Sequence, residues 1–316
     1  MGVGNQEIVR KVAIATASRA ERALLQPIYD KLGEMPEVQR WWFQVQPGED
    51  TVYRTKEIHK ALKKRPPEAF LVPADRAEMV AVAMVAYYMR IPVFHLWAGV
   101  GYTGTYDDLN RRVMSSFAYM HLVEDERAKR RLIHSGEQAW RIKTVGSTHA
   151  DSLVVDEKMA PIEPFDLVLV NGNPIDPQEE MVALNRTLEL VSPGKPTLWV
   201  EPSAPYRPGV MAWIRLRLPS GHRIQFMPTL ARPLFLGLMS KCDRFITNSS
   251  SAVYEAPLLG AGRKVVNVGK RNAERTTEST KLPPAAATVA DLLAHYTLDP
   301  TKLLKPYGRT PAPRTS

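Results

Sequence analysis

The chain has 316 residues, of which 44% are hydrophobic and 24% are charged, so it has the length for two domains and the composition of a folded globular protein. Its longest uncharged apolar run, residues 79–89, is too short to cross a bilayer, and its first residues do not resemble a secretion signal. We therefore expect a cytoplasmic protein without a membrane partner. The single cysteine, Cys242, cannot form an internal disulfide, and no Cys/His spacing indicates zinc.

The net charge of +9 belongs to the second half of the chain. Residues 1–170 carry 23 basic and 22 acidic side chains, whereas residues 171–316 carry 19 basic and 11 acidic ones. This excess of positive charge favours an anionic ligand there, either a nucleotide diphosphate or a nucleic acid. A solvated basic surface is the alternative.

Short apolar runs alternate with helical patterns along the chain. Residues 11–16 predict a strand followed by a helix over 19–32, and residues 70–72 predict a strand followed by a helix over 76–90. Further strands are predicted at residues 91–95, 119–123, 141–145, 167–170, 198–200, 245–247 and 265–268. The alternation indicates parallel sheets that are covered by helices on both faces.

A proline-rich interval, residues 159–164, is the best candidate for a linker between two such domains. We expect an N-terminal Rossmann-like domain over 1–160, a C-terminal Rossmann-like domain over 161–302 and a loose tail over 303–316. Since ligands bind at the carboxyl ends of the strands in open α/β sheets, the turns after the strands are the places to look for chemistry.

Three turns in the first half carry candidate functional side chains. Residues 16–21 (Thr-Ala-Ser-Arg-Ala-Glu) place small residues and Arg19 at the start of a helix, which suits an anion. Residues 74–78 (Ala-Asp-Arg-Ala-Glu) place Asp75 at a second junction, either as a reactive carboxylate or as a helix cap. The third turn begins at residue 95 and is rich in glycine and aromatic residues. Its candidate residues are His95, Trp97, Tyr102, Asp107, Asp108 and Arg111.

The most informative motif lies in the second half. Residues 248–260 begin with Asn-Ser-Ser-Ser and continue with Glu255, and residues 267–275 add Arg271 and Arg275. Hydroxyl groups and basic side chains suit phosphates, and a nearby carboxylate can accept ribose hydroxyl groups. The motif therefore predicts a nucleotide-diphosphate site.

In order and spacing, these motifs resemble those of the hydrolysing UDP-N-acetylglucosamine 2-epimerases, especially their sialic-acid branch. The family pattern T-G-T-R-A-E…L-L-x-P is similar to residues 16–27, G-D-R-x-E to 74–78, N-S-S-S-x-x-x-E-A-P to 248–257 and N-x-G-x-R-x-x-x-R to 267–275. Weaker similarities at residues 145–151 and 305–308 extend the resemblance over nearly the whole chain. It implies an α/β fold of the GT-B type, with two Rossmann-like parallel-sheet domains facing an inter-domain cleft, and a possible homodimer.

The resemblance also implies roles for individual residues. The diphosphate would be held by Arg19, Ser249, Ser250, Arg271 and Arg275, and the ribose by Glu255. The uracil would lie near residues 227–228 and Leu234. No metal and no cofactor are expected, because the UDP-sugar is itself the substrate.

The chain departs from the family at positions that handle the proton on C2 of the sugar. A family carboxylate is expected two or five residues after His95, where this chain has Trp97 and Val100. A family histidine is replaced by Asn173, which cannot exchange a proton near neutral pH. The helix that returns to the first domain at the C-terminus is expected to be missing or short.

Three functions compete on these grounds, and the departures at the positions that handle the C2 proton favour the first over the two alternatives. The first is a metal-independent glycosyltransferase that uses a UDP-sugar donor, with hydroxymethylated phage-type DNA as one acceptor; the second is a hydrolysing 2-epimerase; the third is a nucleotide-sugar-binding protein without catalysis. For catalysis the sequence offers Asp75, Asp108, His95 and Asp107, His95 having a place in the core as its alternative. Contacts to sugar or acceptor are expected from Trp97, Tyr102, Arg111 and Asn173.

Overall fold

The computed structural model describes residues 9–46, 51–74, 76–101, 106–173, 176–202, 206–218, 221–273 and 282–299, without the side chains of 51–53, 106, 107 and 263. Contacts divide the chain into two units. The first comprises residues 1–100, 107–152 and 283–316, and the second comprises residues 101–106 and 153–282. None of the helices in the described ranges combines the length and the hydropathy that a membrane span requires.

The first unit contains a parallel sheet of six strands in the order β2-β1-β3-β4-β5-β6. Its strands are β1 (Arg10–Thr16), β2 (Val38–Gln44), β3 (Ala69–Pro73), β4 (Val93–Leu96), β5 (Met120–Val123) and β6 (Ile142–Thr144). The helices are α1 (Arg19–Gly33), α2 (Thr51–Lys64), α3 (Ala77–Tyr88), α4 (Tyr106–Phe117), α5 (Glu126–His134), α6 (Thr148–Asp151) and α11 (Ala286–His295).

Successive residues of β1 enter two different cores, because side chains alternate across a strand. Val12 and Ile14 pack with apolar residues of α1 and α11. Ala13 and Ala15 pack with apolar residues of α2 and α3 on the other face. Helices therefore cover both faces of the sheet, as the near-continuous burial of β1 and β3 requires.

The helix α11 belongs to this first unit, although residues up to 302 were assigned to the second domain from the sequence. Its apolar side chains, including Val289 and Leu293, lie in the same core as Leu25 and Ile28 of α1. Asp151 accepts hydrogen bonds from the backbone amides of residues 285 and 286, at 2.7 and 2.9 Å, where this helix begins. The returning helix is thus present and short, at ten residues.

The second unit contains a parallel sheet of five strands in the order β11-β10-β7-β8-β9. Its strands are β7 (Asp166–Leu169), β8 (Thr197–Val200), β9 (Ile224–Met227), β10 (Arg244–Thr247) and β11 (Val265–Asn267), and its helices are α7 (Pro177–Leu190), α8 (Val210–Arg217), α9 (Arg232–Lys241) and α10 (Glu255–Leu258). Helices α7 and α8 pack on one face and α9 on the other.

The strands and the parallel pairing predicted from the sequence are confirmed. Two strands that the apolar runs did not indicate, β2 and β9, each form one edge of their sheet, whereas the opposite edge strands, β6 and β11, were predicted. The side chains of β2 and β9 are mostly only half-buried, so these two strands lack the apolar run that indicates a strand.

Candidate functional site

The strand order of the second sheet marks one place for a ligand. From β7 the chain moves to β8 and β9 on one side and then returns to β10 on the other side. Ligands of open α/β sheets bind where the strand order reverses, beyond the carboxyl ends of the two strands concerned. In this unit that place lies beyond β7 and β10, where the residues of the predicted nucleotide site begin.

The turns that follow β7 and β10 are joined by two asparagines. The backbone amide of Asn171 donates to Oδ1 of Asn248 at 2.6 Å, and Nδ2 of Asn248 donates to the Asn171 carbonyl at 3.0 Å. These bonds fix the two turns relative to each other. Neither asparagine pairing was predicted, because the partners are 77 residues apart in the chain.

The serine turn after β10 is held by its own side chains. The amide of Ser249 donates to Oγ1 of Thr247 at 2.9 Å, and Oγ of Ser249 accepts from the amide of Ser251 at 3.3 Å. A short 3-10 turn over Ser250–Ala252 follows, and then the four-residue helix α10. Ser250 is half-buried and Ser249 is 7% exposed, so the turn presents a limited polar surface at the end of β10.

Glu255 is buried and forms an ion pair with Arg232, which opens α9. The side chains of Glu255 and Arg232 are 3% and 18% exposed. A carboxylate at this depth is expected to need such a cation, because burial of an unpaired charge is costly. Arg232 was missed in the sequence, since nothing in the spacing of residues 232 and 255 links the two. Ribose binding by Glu255 stays a prediction.

Two further predicted residues, Arg271 and Asn173, lie at the turn after β7. Nη1 of Arg271 donates to the carbonyl of Gly172 at 3.5 Å, and Asn173 follows directly. Oδ1 of Asn173 accepts from the amide of Asp176 at 3.1 Å, so this side chain supports the start of α7. Arg271 and Asn173 are therefore near neighbours at the carboxyl end of β7. Arg275 lies outside the described residues.

The first sheet has its own reversal, between β1 and β3. Here Ser18 caps α1, and Oε2 of Glu21 accepts from the amides of Ala17 and Ser18 at 2.8 and 3.1 Å. Burial raises the pKa of Glu21, and these bonds act in the opposite direction. The amides of Ala17 and Ser18 are thus occupied by Glu21. Arg19, the basic residue predicted to bind an anion at this turn, is exposed.

The turn after β3 carries a second charged cluster. Nε of Arg76 lies 3.8 Å from Oε1 of Glu21 and 3.3 Å from Oε2 of Glu78. Both carboxylates are buried, so Arg76 balances two negative charges at the β1 and β3 ends. Ala74 adopts a φ of +56° immediately before Asp75, and Asp75 itself lies outside the described residues.

His95 lies in the core on β4, with an exposure of 0%. Nε2 contacts the Ala74 carbonyl at 2.9 Å and Nδ1 contacts Oγ of Ser115 at 3.3 Å. Because a carbonyl can only accept, Nε2 carries the proton and Nδ1 accepts from the hydroxyl group. Desolvation lowers the pKa of His95 to about 3. This environment favours the core interpretation of His95 over a role as a proton donor and acceptor.

Trp97 begins the turn after β4 and is fixed by the turn after β6. Its φ is +59°, and its indole N–H donates to Oγ1 of Thr148 at 3.1 Å. The ring lies 6.3 Å from the ring of His149, between centroids. Trp97 is half-buried, and its predicted contact with sugar or acceptor stays a prediction. His149 was not singled out in the sequence.

Arg111 and Asp108 are brought together on α4. Their nearest side-chain atoms are 3.6 Å apart, and Nη1 of Arg111 donates to the carbonyl of Val100 at 3.1 Å. Arg111 is buried and Asp108 is half-buried. Among the predicted catalytic carboxylates, Asp108 is the one whose side chain the structure describes. Asp75 and the side chain of Asp107 lie outside the described residues, as does Tyr102.

The described residues contain no group of three or more His, Cys, Asp and Glu side chains that could hold a metal ion. The basic and polar side chains at the carboxyl ends of the strands suit anionic and hydroxyl-rich ligands instead.

Comparison with known proteins agrees with the family resemblance of the sequence motifs. The sequence profile of the UDP-N-acetylglucosamine 2-epimerase family matches residues 4–309. The UDP-N,N'-diacetylbacillosamine 2-epimerase (hydrolyzing) of Legionella pneumophila is 26% identical over 225 residues, which are 65% of this chain and 57% of that protein. The chain thus aligns with little more than half the length of this relative.

Solved structures share the fold. UDP-GlcNAc 2-epimerase from Neisseria meningitidis, bound to UDP-GlcNAc, superimposes with a TM-score of 0.69 at 18% identity and covers 93% of each chain. A Staphylococcus aureus protein solved with UDP gives a TM-score of 0.70 at 15% identity, covering 90% of this chain and 87% of the other. The two parallel α/β sheets and these neighbours confirm the predicted GT-B fold class. The profile match over nearly all of its length establishes that the chain belongs to the UDP-N-acetylglucosamine 2-epimerase family.

Proposed function

We propose that this protein binds a UDP-linked 2-acetamido sugar and acts as a hydrolysing 2-epimerase. The observation that carries the proposal is the set of side chains beyond the carboxyl ends of β7 and β10, where the strand order reverses. There, Ser249, Glu255 and Arg271 follow in the order of the family motif, and the Asn171–Asn248 bonds hold the two turns together. The positive charge of the second half suits the diphosphate.

In this reaction the bond between C1 of the sugar and the β-phosphate oxygen breaks, and UDP leaves with the electron pair. A base removes the proton from C2, and water then supplies a hydroxyl group to C1 while a proton returns to the opposite face of C2. The sum is UDP-sugar plus water giving UDP plus the epimerised sugar. The carboxylates proposed to handle the C2 proton are Asp75, Asp107 and Asp108.

The relatives suggest two substrates for the test. The Neisseria meningitidis structure was solved with UDP-GlcNAc, and the Legionella pneumophila relative is named for UDP-N,N'-diacetylbacillosamine. Both are UDP-linked sugars with an acetamido group at C2. This group does little to make the C2 proton acidic. A positioned base is therefore needed for either substrate.

Glycosyl transfer is the second candidate, and one observation favours it. Trp97 and Asn173 stand where the family carboxylate and histidine are expected; the Trp97 indole N–H donates to Thr148, and Oδ1 of Asn173 accepts from the amide of Asp176. Transfer of the sugar to an acceptor hydroxyl group needs no proton exchange at C2. Exposed basic residues on and directly after α2 support a polyanionic acceptor such as DNA: Lys56, Lys60, Lys63, Lys64 and Arg65.

The first experiment measures UDP binding by calorimetry and then follows the products. Arg271→Gln is expected to weaken UDP binding about tenfold or more, since it removes a charged donor to phosphate. Arg217→Gln is the matched control, because Arg217 lies on α8 with its guanidinium 4.7 Å from the Trp213 ring centroid.

Incubation with each UDP-sugar should then release UDP and the C2-epimerised sugar in equal amounts. A mass gain on hydroxymethylated DNA, without free sugar, would replace the epimerase by the transferase. UDP binding with no turnover on any of these substrates would leave a nucleotide-sugar-binding protein. The homodimer stays a prediction that the molar mass in solution tests.

A further inference from the structure

A buried carboxylate lies beside the turn after β7, where the proposed site begins. Glu180, on α7, is 1% exposed. Its Oε2 accepts from the amide of Asn173 at 2.9 Å and lies 3.6 Å from Nε of Arg207. Its Oε1 is also buried and has no hydrogen-bond partner among the described residues. Glu180 thus contacts both the turn after β7 and a cation from the segment after β8.

Burial of a carboxylate with one oxygen unsatisfied is unfavourable, and a nearby cation offsets part of that cost. Arg207 supplies this charge while its own side chain stays 41% exposed. The ion pair therefore does not bury the guanidinium. It holds Arg207 by Nε, at the inner edge of the group.

The outer edge of the Arg207 guanidinium remains available. Within the described part of the chain, the Arg207 side chain donates no hydrogen bond, and Nε is its nearest nitrogen to Glu180. Its Nη1 and Nη2 nitrogens carry four N–H donors in a planar fork, which fits the oxygens of a phosphate or carboxylate. A surface arginine that is held at Nε by a buried acid loses less entropy when it binds such a group.

The position of Arg207 relates it to the proposed site. On one side of the turn after β7, Arg271 contacts the Gly172 carbonyl. On the other side, Glu180 binds the Asn173 amide and holds Arg207. Two cations thus flank the same two-residue turn, one from the β11 side and one from the β8 side of the sheet.

We infer that Arg207 binds an anionic oxygen of the nucleotide sugar and that Glu180 is the positioning residue that holds it there. This inference rests on the proposed function and adds a binding residue outside the motifs found in the sequence. The group bound is either a phosphate of UDP or a carboxylate on the sugar, which share the chemistry of paired anionic oxygens.

The test is calorimetric titration of the full chain with UMP, UDP, UDP-GlcNAc and UDP-glucuronic acid. Arg207→Gln is expected to weaken binding of at least one of these ligands about tenfold or more, and Arg207→Lys to recover part of that loss. Glu180→Gln, which can still accept from the Asn173 amide, is expected to weaken the same ligand severalfold. Arg217→Gln should match the unchanged protein throughout.

The ligand series identifies the source of the anionic oxygen. Equal losses for UDP and both UDP-sugars, with a smaller loss for UMP, identify a diphosphate contact. A loss confined to UDP-glucuronic acid identifies a sugar carboxylate. Thermal melting of each variant separates these effects from unfolding, since a merely structural ion pair would change the melting temperature and leave affinity intact in the folded protein.

The inference is overturned if Arg207→Gln binds all four ligands within twofold of the unchanged protein while Arg271→Gln weakens UDP. That result would leave the proposed function standing. Failure of the unchanged protein to bind any of the four would overturn the proposed function and this inference together.

Discussion

Replacing His95 with glutamine is expected to change how the stability of the first unit depends on pH. Desolvation lowers the pKa of His95 to about 3 from its ordinary value of 6.5, and the charges of His121 and Arg111 act in the same direction. The bond from Nε2 to the Ala74 carbonyl acts the other way and does not prevent the shift. The imidazole is therefore neutral in the folded protein across the physiological range.

The sign and size of the effect follow from proton linkage. Between pH 6.5 and about 3 the unfolded chain binds a proton at His95 and the folded chain does not, so lowering the pH favours unfolding. Each pH unit in this window removes about 1.36 kcal/mol from the free energy of unfolding. Relative to a pH well above 6.5, the contribution of His95 at pH 4.5 is therefore a loss of about 2.7 kcal/mol.

Urea unfolding at several pH values between 4.5 and 7.5, on the unchanged protein and on His95→Gln, measures this contribution. The glutamine amide can still donate to the Ala74 carbonyl, and the other buried histidine, His121, is present in both proteins. The free energy of unfolding of the unchanged protein, minus that of His95→Gln, should fall as the pH falls, by about 1.36 kcal/mol per pH unit. Parallel curves for the two proteins would refute a neutral, buried His95.

Three further predictions address the sites. Glu255→Ala should cost about 3–5 kcal/mol of unfolding free energy because it removes the buried carboxylate that pairs with Arg232, and Arg232→Met/Glu255→Leu should cost less than the sum of the single changes; additive costs in urea unfolding would contradict the pairing. Trp97→Phe and Thr148→Val should each cost about 1 kcal/mol and together little more than either, whereas independent losses would mean that the indole bond contributes nothing. Asp108→Asn should keep UDP affinity within twofold and lower turnover about a hundredfold or more; unchanged turnover in a UDP-release assay would remove Asp108 from the mechanism.

Local patterns in the sequence predict most of the fold, because most strands, including the edge strands β6 and β11, coincide with short apolar runs. Strands β2 and β9 lack this signal: β2 includes Arg40, Trp41 and Trp42, and all three side chains are half-buried. Their pairing is settled by the neighbouring strands, a tertiary effect that a window of the sequence does not contain.

The candidate site was predictable where a motif is contiguous. The Ser249 to Glu255 segment, with Arg271, was found by the order of its residues. The Glu255–Arg232 and Asn171–Asn248 contacts were not, since each joins residues from separate elements. One missed signal was local: Ser18 and Glu21 have the spacing of a capping box, which predicts that Glu21 occupies the amides at the start of α1.

The measurement that tests the central claim most directly is the reaction with UDP-GlcNAc in D₂O, followed by mass spectrometry and proton NMR of the released sugar. A hydrolysing 2-epimerase must exchange the C2 proton, so the account predicts UDP and a free, C2-inverted acetamido sugar that carries one deuterium at C2. Release of UDP with a sugar that keeps its original configuration and its C2 proton would contradict the epimerase and leave simple transfer to water or another acceptor.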